Sequence, residues 1–177
     1  MMRIVAGTAR GRKLTVPSNS KIRPTKDRVR EAIFNSLHSY GLVEDLRYLD
    51  LFAGTGSLGL EALSRGANSV VFVDNNELSV NTITHNLEML EFDNKAEVRY
   101  QDAIMYLKEK KDFDVAILDP PYEFGLWNEL LSQIKSKVVV IETSQKIAVN
   151  KSWDIIKEQN YGQSNVLIAR KSGSFPL

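Results

Sequence analysis

The chain contains no cysteine. Disulfides, thiolate nucleophiles and cysteine-held zinc or iron–sulfur centres are therefore excluded. Histidine is nearly as scarce. His38 and His85 are the only two, and neither sits in a metal-ligand spacing, so no metal site is expected. No stretch approaches the roughly 18 consecutive apolar residues of a membrane span. Met1 to Pro17 lacks the apolar centre of a secretory leader. A cytoplasmic address and no membrane partner are the expectation. With 43% hydrophobic and 25% charged residues in a chain of 177, the composition is that of a soluble globular protein with a real core.

Acid is almost missing from one end. Residues 1–30 hold nine Lys or Arg and one acid, Asp27, for a net charge of +8. The remaining residues hold 14 basic and 21 acidic side chains, for a net charge of −7. Such polarity draws a polyanion to one end of a molecule. "RIVAGTARGRKLTVP" has two short apolar pieces, Ile4–Ala6 and Leu14–Val16, around a basic turn bracketed by Gly7 and Gly11. A small hairpin is expected, with Arg10, Arg12 and Lys13 at its tip. "SNSKIRPT" reads as a polar linker. A helix then starts near Thr25, whose hydroxyl suits its cap, and Val29, Ile33 and Leu37 give it an apolar stripe. Gly41 stops it. Lys26, Arg28 and Arg30 fall on its polar face in the first turns, where cations oppose the helix dipole. A bound phosphate or plain solvation would account for them.

Beyond Gly41 the pattern is strand–helix–strand. Strands are expected at Tyr48–Phe52, Ser69–Val73, Glu97–Tyr100, Val115–Leu118 and Val138–Glu142. Helices are expected at Leu58–Arg65, Leu78–Leu90, Ala103–Lys108 and Leu126–Gln133. Val- and Ile-rich strands separated by amphipathic helices make a mostly parallel sheet covered on both faces, an α/β fold. Near the C-terminus, Trp153–Ile156 and Val166–Ala169 flank a polar turn with Gly162, and no helix fits between them. They predict an antiparallel hairpin at one sheet edge. No internal repeat or low-complexity segment interrupts this pattern.

"LDLFAGTGSLGLEAL" follows the first sheet strand, and Gly54, Gly56 and Gly59 form a literal GxGxxG. The first glycine permits a tight turn, the second a close backbone approach to a ligand, the third close packing of helix on strand. Tight packing alone is the competing explanation. The next strand ends "VVFVDNN". Asp74, twenty residues after Gly54, suits two ribose hydroxyls, and Asn75 adjoins it. To this point NAD and S-adenosylmethionine fit equally, since both contain adenosine. Asp50 favours the second. A carboxylate beside the glycine loop suits an α-ammonium and would repel a pyrophosphate. A buried acid capping the loop backbone is the alternative. Asp102 stands at the same sheet edge, where it can accept from an adenine amine, cap the helix at Ala103, or do both.

The fourth strand runs into "LDPPYEF". Pro120 biases Asp119 towards an extended conformation, and neither proline offers an N–H. The Asp119 carboxylate and the Pro120 carbonyl thus form a stiff pair of acceptors. An exocyclic –NH₂, with two donors, matches that pair. Tyr122 offers a flat face for a stacked base. Direct methyl transfer to an amine needs position and local dipoles more than a strong base, which suits a site without cysteine or a catalytic histidine. Asp119 or a solvent path can take the amine proton. A base inside a duplex could not reach the site, so the target is expected to be unpaired or flipped out. Phe124 and Trp127 follow and suit either a pocket wall or core packing. Guanine, adenine and cytosine all carry an exocyclic amine, and these residues do not choose among them.

Taken together, "RIVAGTARGRKL", "IRPTKDRVREAIFNSL", "LDLFAGTGSLGLEALSRGA" and "LDPPY" resemble the bacterial 16S rRNA guanine-N2 methyltransferases of the RsmD type, over nearly the whole chain. The resemblance implies a Rossmann-like S-adenosylmethionine-dependent methyltransferase fold over residues 25–177, and an RNA-facing basic segment over residues 1–24. It implies methylation of guanine 966 in an assembled or nearly assembled small ribosomal subunit. A monomer is expected, because the basic end and the cofactor edge must both face a very large partner. Asp50, Phe52, Gly54, Gly56, Asp74, Asn75 and Asp102 fall in its cofactor-binding places. Asp119, Pro120 and Tyr122 take the amine-binding and stacking places, although the family often has phenylalanine at the position of Tyr122. Arg10, Arg12, Lys13, Arg23 and Arg28 fall in its RNA-facing segment. A DNA adenine-N6 methyltransferase, a protein glutamine methyltransferase, an NAD-dependent oxidoreductase and a non-catalytic RNA-binding module are the alternatives.

Overall fold

A computed structural model describes residues 2–16, 27–121 and 123–173. Thr25 and Lys26, Arg23 of the basic segment and Tyr122 of the amine site lie outside the described residues.

The main sheet has seven strands: β3 (Arg47–Leu51), β4 (Ser69–Asp74), β5 (Ala96–Tyr100), β6 (Phe113–Leu118), β7 (Ser136–Thr143), β8 (Trp153–Tyr161) and β9 (Ser164–Lys171). Their spatial order is β5-β4-β3-β6-β7-β9-β8. The first five are parallel, and β9 runs antiparallel to both β7 and β8. The parallel sheet and the C-terminal hairpin are as expected, but the hairpin strands are longer than their apolar runs, because the paired backbone continues through the polar residues Lys157–Tyr161.

Side-chain alternation divides the core. Tyr48, Phe72, Val115, Ile117, Val138 and Val140 pack on one face with α1 (Asp27–Ser39), α2 (Ser57–Ser64) and α3 (Glu77–Leu90). Leu49, Leu51, Val73, Ala116, Leu118, Val139 and Ile141 pack on the other, with α4 (Ala103–Leu107) and α5 (Trp127–Gln133). Both faces are therefore buried, which is why these strands are continuous apolar runs. The chain order reverses between β3 and β6. In open sheets of this order ligands bind at that switch point, outside the carboxyl ends of the two strands. Among the described residues, no helix is long and apolar enough to cross a membrane.

The N-terminal hairpin is shorter than expected. β1 (Met2–Arg3) pairs antiparallel with β2 (Lys13–Leu14). Val5 and Ala6 do not extend the ladder because their N–H groups donate to the Glu61 carboxylate of α2, at 2.8 and 2.9 Å. The turn continues along the same helix. Thr8 N–H donates to the Ser64 carbonyl at 2.8 Å, and the Ser64 hydroxyl donates to the Ala6 carbonyl at 2.6 Å. Gly7 has φ +85°, and a Cβ there would lie 1.8 Å from the Ser64 carbonyl oxygen. Asn86 of α3 holds the outgoing strand by exchanging two hydrogen bonds with the Thr15 backbone. Met2, Ile4, Ala9 and Leu14 belong to the same core as α1–α3.

Arg30 corrects the sequence expectation. It does not lie on the polar face of α1 but is fully buried, with ion pairs to Asp27 at 2.9 Å and to Glu61 at 3.3 Å. It offers no surface for a phosphate. The helical period sets it directly beside Val29, at the margin of the apolar stripe, and the buried Glu61 draws it inward.

Candidate functional site

β3 delivers Asp50 to the α2 face of the sheet, 1% exposed, and its Oδ2 accepts the Gly59 N–H at 2.9 Å. The acid thus ties the strand to the first turn of the helix after the glycine loop. Burial raises its pKa from 3.8 to about 8; the Gly59 hydrogen bond opposes that shift, and the Asp74 charge adds to it. Between about pH 4 and pH 8 the folded chain therefore holds a proton that the unfolded chain has released. Stability falls as pH rises through this window and levels above it. Asp50→Asn should flatten that fall, seen as urea midpoints compared across the range. Parallel profiles for the two proteins would count against it.

Phe52 follows with φ +60° and Gly54 with φ +55°, so the chain turns sharply off the strand. Gly56, at φ +73°, is the N-cap of α2, and no side chain caps that helix end. A Cβ at Gly56 would lie 2.8 Å from Ile83, and one at Gly59 would lie 2.2 Å from the Phe72 ring. Both glycines are thus required by packing of the fold itself, whatever binds beside them.

Asp74 ends β4 and braces the loop from the next strand. Its Oδ2 accepts the Gly54 N–H at 2.7 Å and its Oδ1 the Asn76 N–H at 2.9 Å. Asn76 caps α3 through the Leu78 N–H, whereas Asn75 is exposed. Asp102 caps α4, accepting the Met105 N–H at 3.0 Å. One Asp102 oxygen remains for another donor, so the cap leaves the second expected role open.

β6 carries the amine side of the site. Leu51 pairs with Leu118 across β3 and β6, so Phe52 and Asp119 leave neighbouring strands at one level. Such strands lie about 4.8 Å apart. Asp119 is half-buried, Pro120 buried and Pro121 exposed; the Phe124 N–H closes the turn on the Pro121 carbonyl at 2.9 Å. Phe124 stacks edge-on against Phe52, with ring centroids 5.1 Å apart, and against Trp127 at 5.2 Å. This aromatic chain joins the glycine loop to the loop after β6. Sequence reading missed the contact, because Phe52 and Phe124 are far apart in the chain. Trp127 donates in turn to the Gln145 side chain, at 3.4 Å.

The basic residues divide. Arg12 donates to the Met89 carbonyl at the end of α3, where a cation complements the helix dipole. Arg10, Lys13 and Arg28 are exposed. The hairpin lies along α2. Met2 touches Thr55 of the glycine loop, with Thr55 Oγ1 3.6 Å from its sulfur, while the turn lies at Ser64. Eight helical residues separate the two ends by about 12 Å. The basic turn is therefore set back from the cofactor edge.

These residues fit an adenosine cofactor with an amino-acid end. Asp74 keeps acceptor capacity beyond its two backbone bonds, enough for ribose hydroxyls. Asp50, held protonated by burial in the free chain, is drawn into its charged form by a bound ammonium, which then pairs with it, and the uncapped first turn of α2 matches a carboxylate. A pyrophosphate would face the Asp74 carboxylate and would keep Asp50 protonated, with no cation beside it to draw off the proton. Among the described residues no cluster suits a metal ion.

The sheet order, its switch point and the glycine loop define the class: a Rossmann-like S-adenosylmethionine-dependent methyltransferase fold. The solved structure of the Escherichia coli protein yhhF superposes with a TM-score of 0.86 at 31% identity, covering 98% of this chain and 99% of that one. Ribosomal RNA small subunit methyltransferase D of Haemophilus influenzae is 37% identical over 174 residues, 91% of this chain and 89% of that protein. YlbH of Bacillus subtilis is 34% identical over 186 residues, 97% of this chain and all of that protein. The family described as conserved hypothetical protein 95 matches residues 2–170, and the chain belongs to it.

Proposed function

We propose that the protein is an S-adenosylmethionine-dependent RNA methyltransferase. Its target is the exocyclic N2 amine of guanine 966 in 16S rRNA, in an assembled or nearly assembled small ribosomal subunit. The observation that carries the reading is the adjacency of two loops at the switch point: the glycine loop after Leu51 and the Asp119-Pro120-Pro121 turn after Leu118, on paired strands. The resemblance of the motifs, and relatives named as methyltransferases of small-subunit RNA, support the choice of target.

S-adenosylmethionine supplies a methyl carbon already activated by its sulfonium charge. Asp50, Asp74, Asp102 and the first turn of α2 hold the cofactor at the strand ends. Asp119 and the Pro120 carbonyl accept the two hydrogens of the target amine and fix the direction of its lone pair. Tyr122 stacks on the base. Asp119 takes the amine proton or passes it to water. Catalysis on this account is positioning, and the Phe52–Phe124–Trp127 chain holds the two loops in register.

Arg10 and Lys13 contact phosphate at a distance from the reacting base, which a large folded RNA can span. Replacing both with alanine should weaken subunit binding and reduce the log–log salt slope by about 1.5. Filter binding across a salt series checks this; an unchanged slope would place the RNA contact elsewhere. Arg12→Ala should instead lower stability, through the end of α3. The function itself is tested by offering labelled S-adenosylmethionine with small subunits from cells lacking the gene, naked 16S rRNA and DNA. Label on the subunits alone is expected, and label on DNA would overturn the reading.

A further inference from the structure

A carboxylate interrupts an apolar pattern at the end of β7. Val138 and Val140 face the α1–α3 core, and two residues on, the same face receives Glu142, which is 8% exposed. A packing residue there would continue the valine series; the sequence places a carboxylate instead. The register gives its neighbours. Ile117 pairs with Val140 and Leu118 with Ile141, so the residues that follow the last pair are Asp119, just past the end of β6, and Glu142 on β7. Ile117 also faces the α1–α3 core, and the two-residue period of a strand carries that face on to Asp119. The sheet therefore sets Glu142 beside the amine-binding acid at the carboxyl edge.

We infer that Glu142 is the specificity-determining residue that selects guanine, by accepting a hydrogen bond from the base's N1–H. The inference rests on the amine-transfer reading above and adds to it the choice of base. Three bases carry an exocyclic amine, but the ring atom beside it differs. In guanine N1 carries a hydrogen and is a donor. In adenine N1, and in cytosine N3, that neighbour is a lone pair. With the amine held by Asp119 and Pro120, a second carboxylate meets a donor in guanine and a lone pair in the other two. It attracts the first and repels the others. Reading an unpaired base along its Watson–Crick edge is how such sites distinguish bases. A buried hydrogen-bonding group rejects the analogue that leaves it unpaired far more strongly than a shape difference does.

2-Aminopurine isolates the effect, since it keeps the 2-amine and has a bare N1. Small subunits reconstituted with guanine or 2-aminopurine at the target position are offered to the wild-type protein and to Glu142→Gln, and kcat/KM is measured for each. The wild type should prefer guanine by about 100-fold or more. Glu142→Gln should lose activity on guanine and gain on 2-aminopurine, narrowing the ratio to within about tenfold, because a carboxamide N–H can donate to a bare N1. Its S-adenosylmethionine affinity, by calorimetry, should match the wild type. Glu142→Asp, which keeps the acceptor, should keep the guanine preference, and with the wild-type ratio it carries the test if the glutamine variant does not fold. Equal wild-type use of both bases, or a ratio unmoved by Glu142→Gln, overturns the role of Glu142 while leaving amine transfer in place. Absence of N2 methylation on either base by the wild type overturns both readings.

Discussion

Asp119→Ala should slow methyl transfer by about a hundredfold to ten-thousandfold, the range for losing a positioned acceptor or proton-accepting group. S-adenosylmethionine affinity should stay within about twofold. The asymmetry follows from where the residue stands. Asp119 leaves β6 one residue after Leu118, whereas the cofactor-side acids Asp50 and Asp74 stand on β3 and β4 and are bonded to Gly59 and Gly54. Removing the Asp119 carboxylate takes an acceptor from the substrate amine and leaves those hydrogen bonds intact. Alanine before Pro120 is still biased to an extended backbone, so the turn should survive. Single-turnover transfer beside calorimetry separates the two effects. An equal loss of cofactor affinity would show that Asp119 belongs to the cofactor side.

Glu61→Ala should destabilise the fold by about 3–5 kcal/mol, the cost of stranding a buried charge. Glu61 is completely buried, and its carboxylate accepts from Val5, Ala6, Arg30 and Arg65. Alanine would orphan two backbone donors of the hairpin and take from the fully buried Arg30 its buried acid partner. A loss of that size is a large part of a typical domain's stability. The pair of exposed Lys137 with half-buried Asp114, at 2.7 Å, gives the contrast: Lys137→Ala should cost less than about 1 kcal/mol. Urea unfolding measures both. Equal small effects would show that the Glu61 cluster relaxes or admits water on mutation.

Most of the sheet was legible because both of its faces are buried. Runs such as Val138–Ile141 and Val115–Leu118 have no polar side to obscure them, and the glycine and proline loops mark their carboxyl ends. What escaped reading depends on partners distant in sequence. Arg30 looks exposed by its charge, although the helical period sets it at the margin of the apolar stripe, and Glu61, 31 residues on, is the buried acid that receives it. The available signal was Glu61 itself, an acid in the middle of "SLGLEALS", a helix whose eight residues are all buried. The hairpin strands were placed late because side chains of α2, invisible to local pattern, take the Val5 and Ala6 donors. The same holds for Thr15 and Asn86, which are 71 residues apart. At the site, the residues lay in local motifs, but their bracing did not: Asp74 on Gly54, and Phe124 on Phe52, are contacts between segments that belong to different strand–loop units. Glu142 was read as the last residue of a strand, and its position beside Asp119 became visible with the register of β6 and β7.

The most direct test of amine transfer to guanine is nucleoside analysis of small subunits from cells lacking the gene, after incubation with the purified protein and labelled S-adenosylmethionine. The account expects the label in N2-methylguanosine, at one position of the 16S rRNA. Label in N6-methyladenosine, or in a methylated cytosine, would contradict both the target and the base-reading role of Glu142.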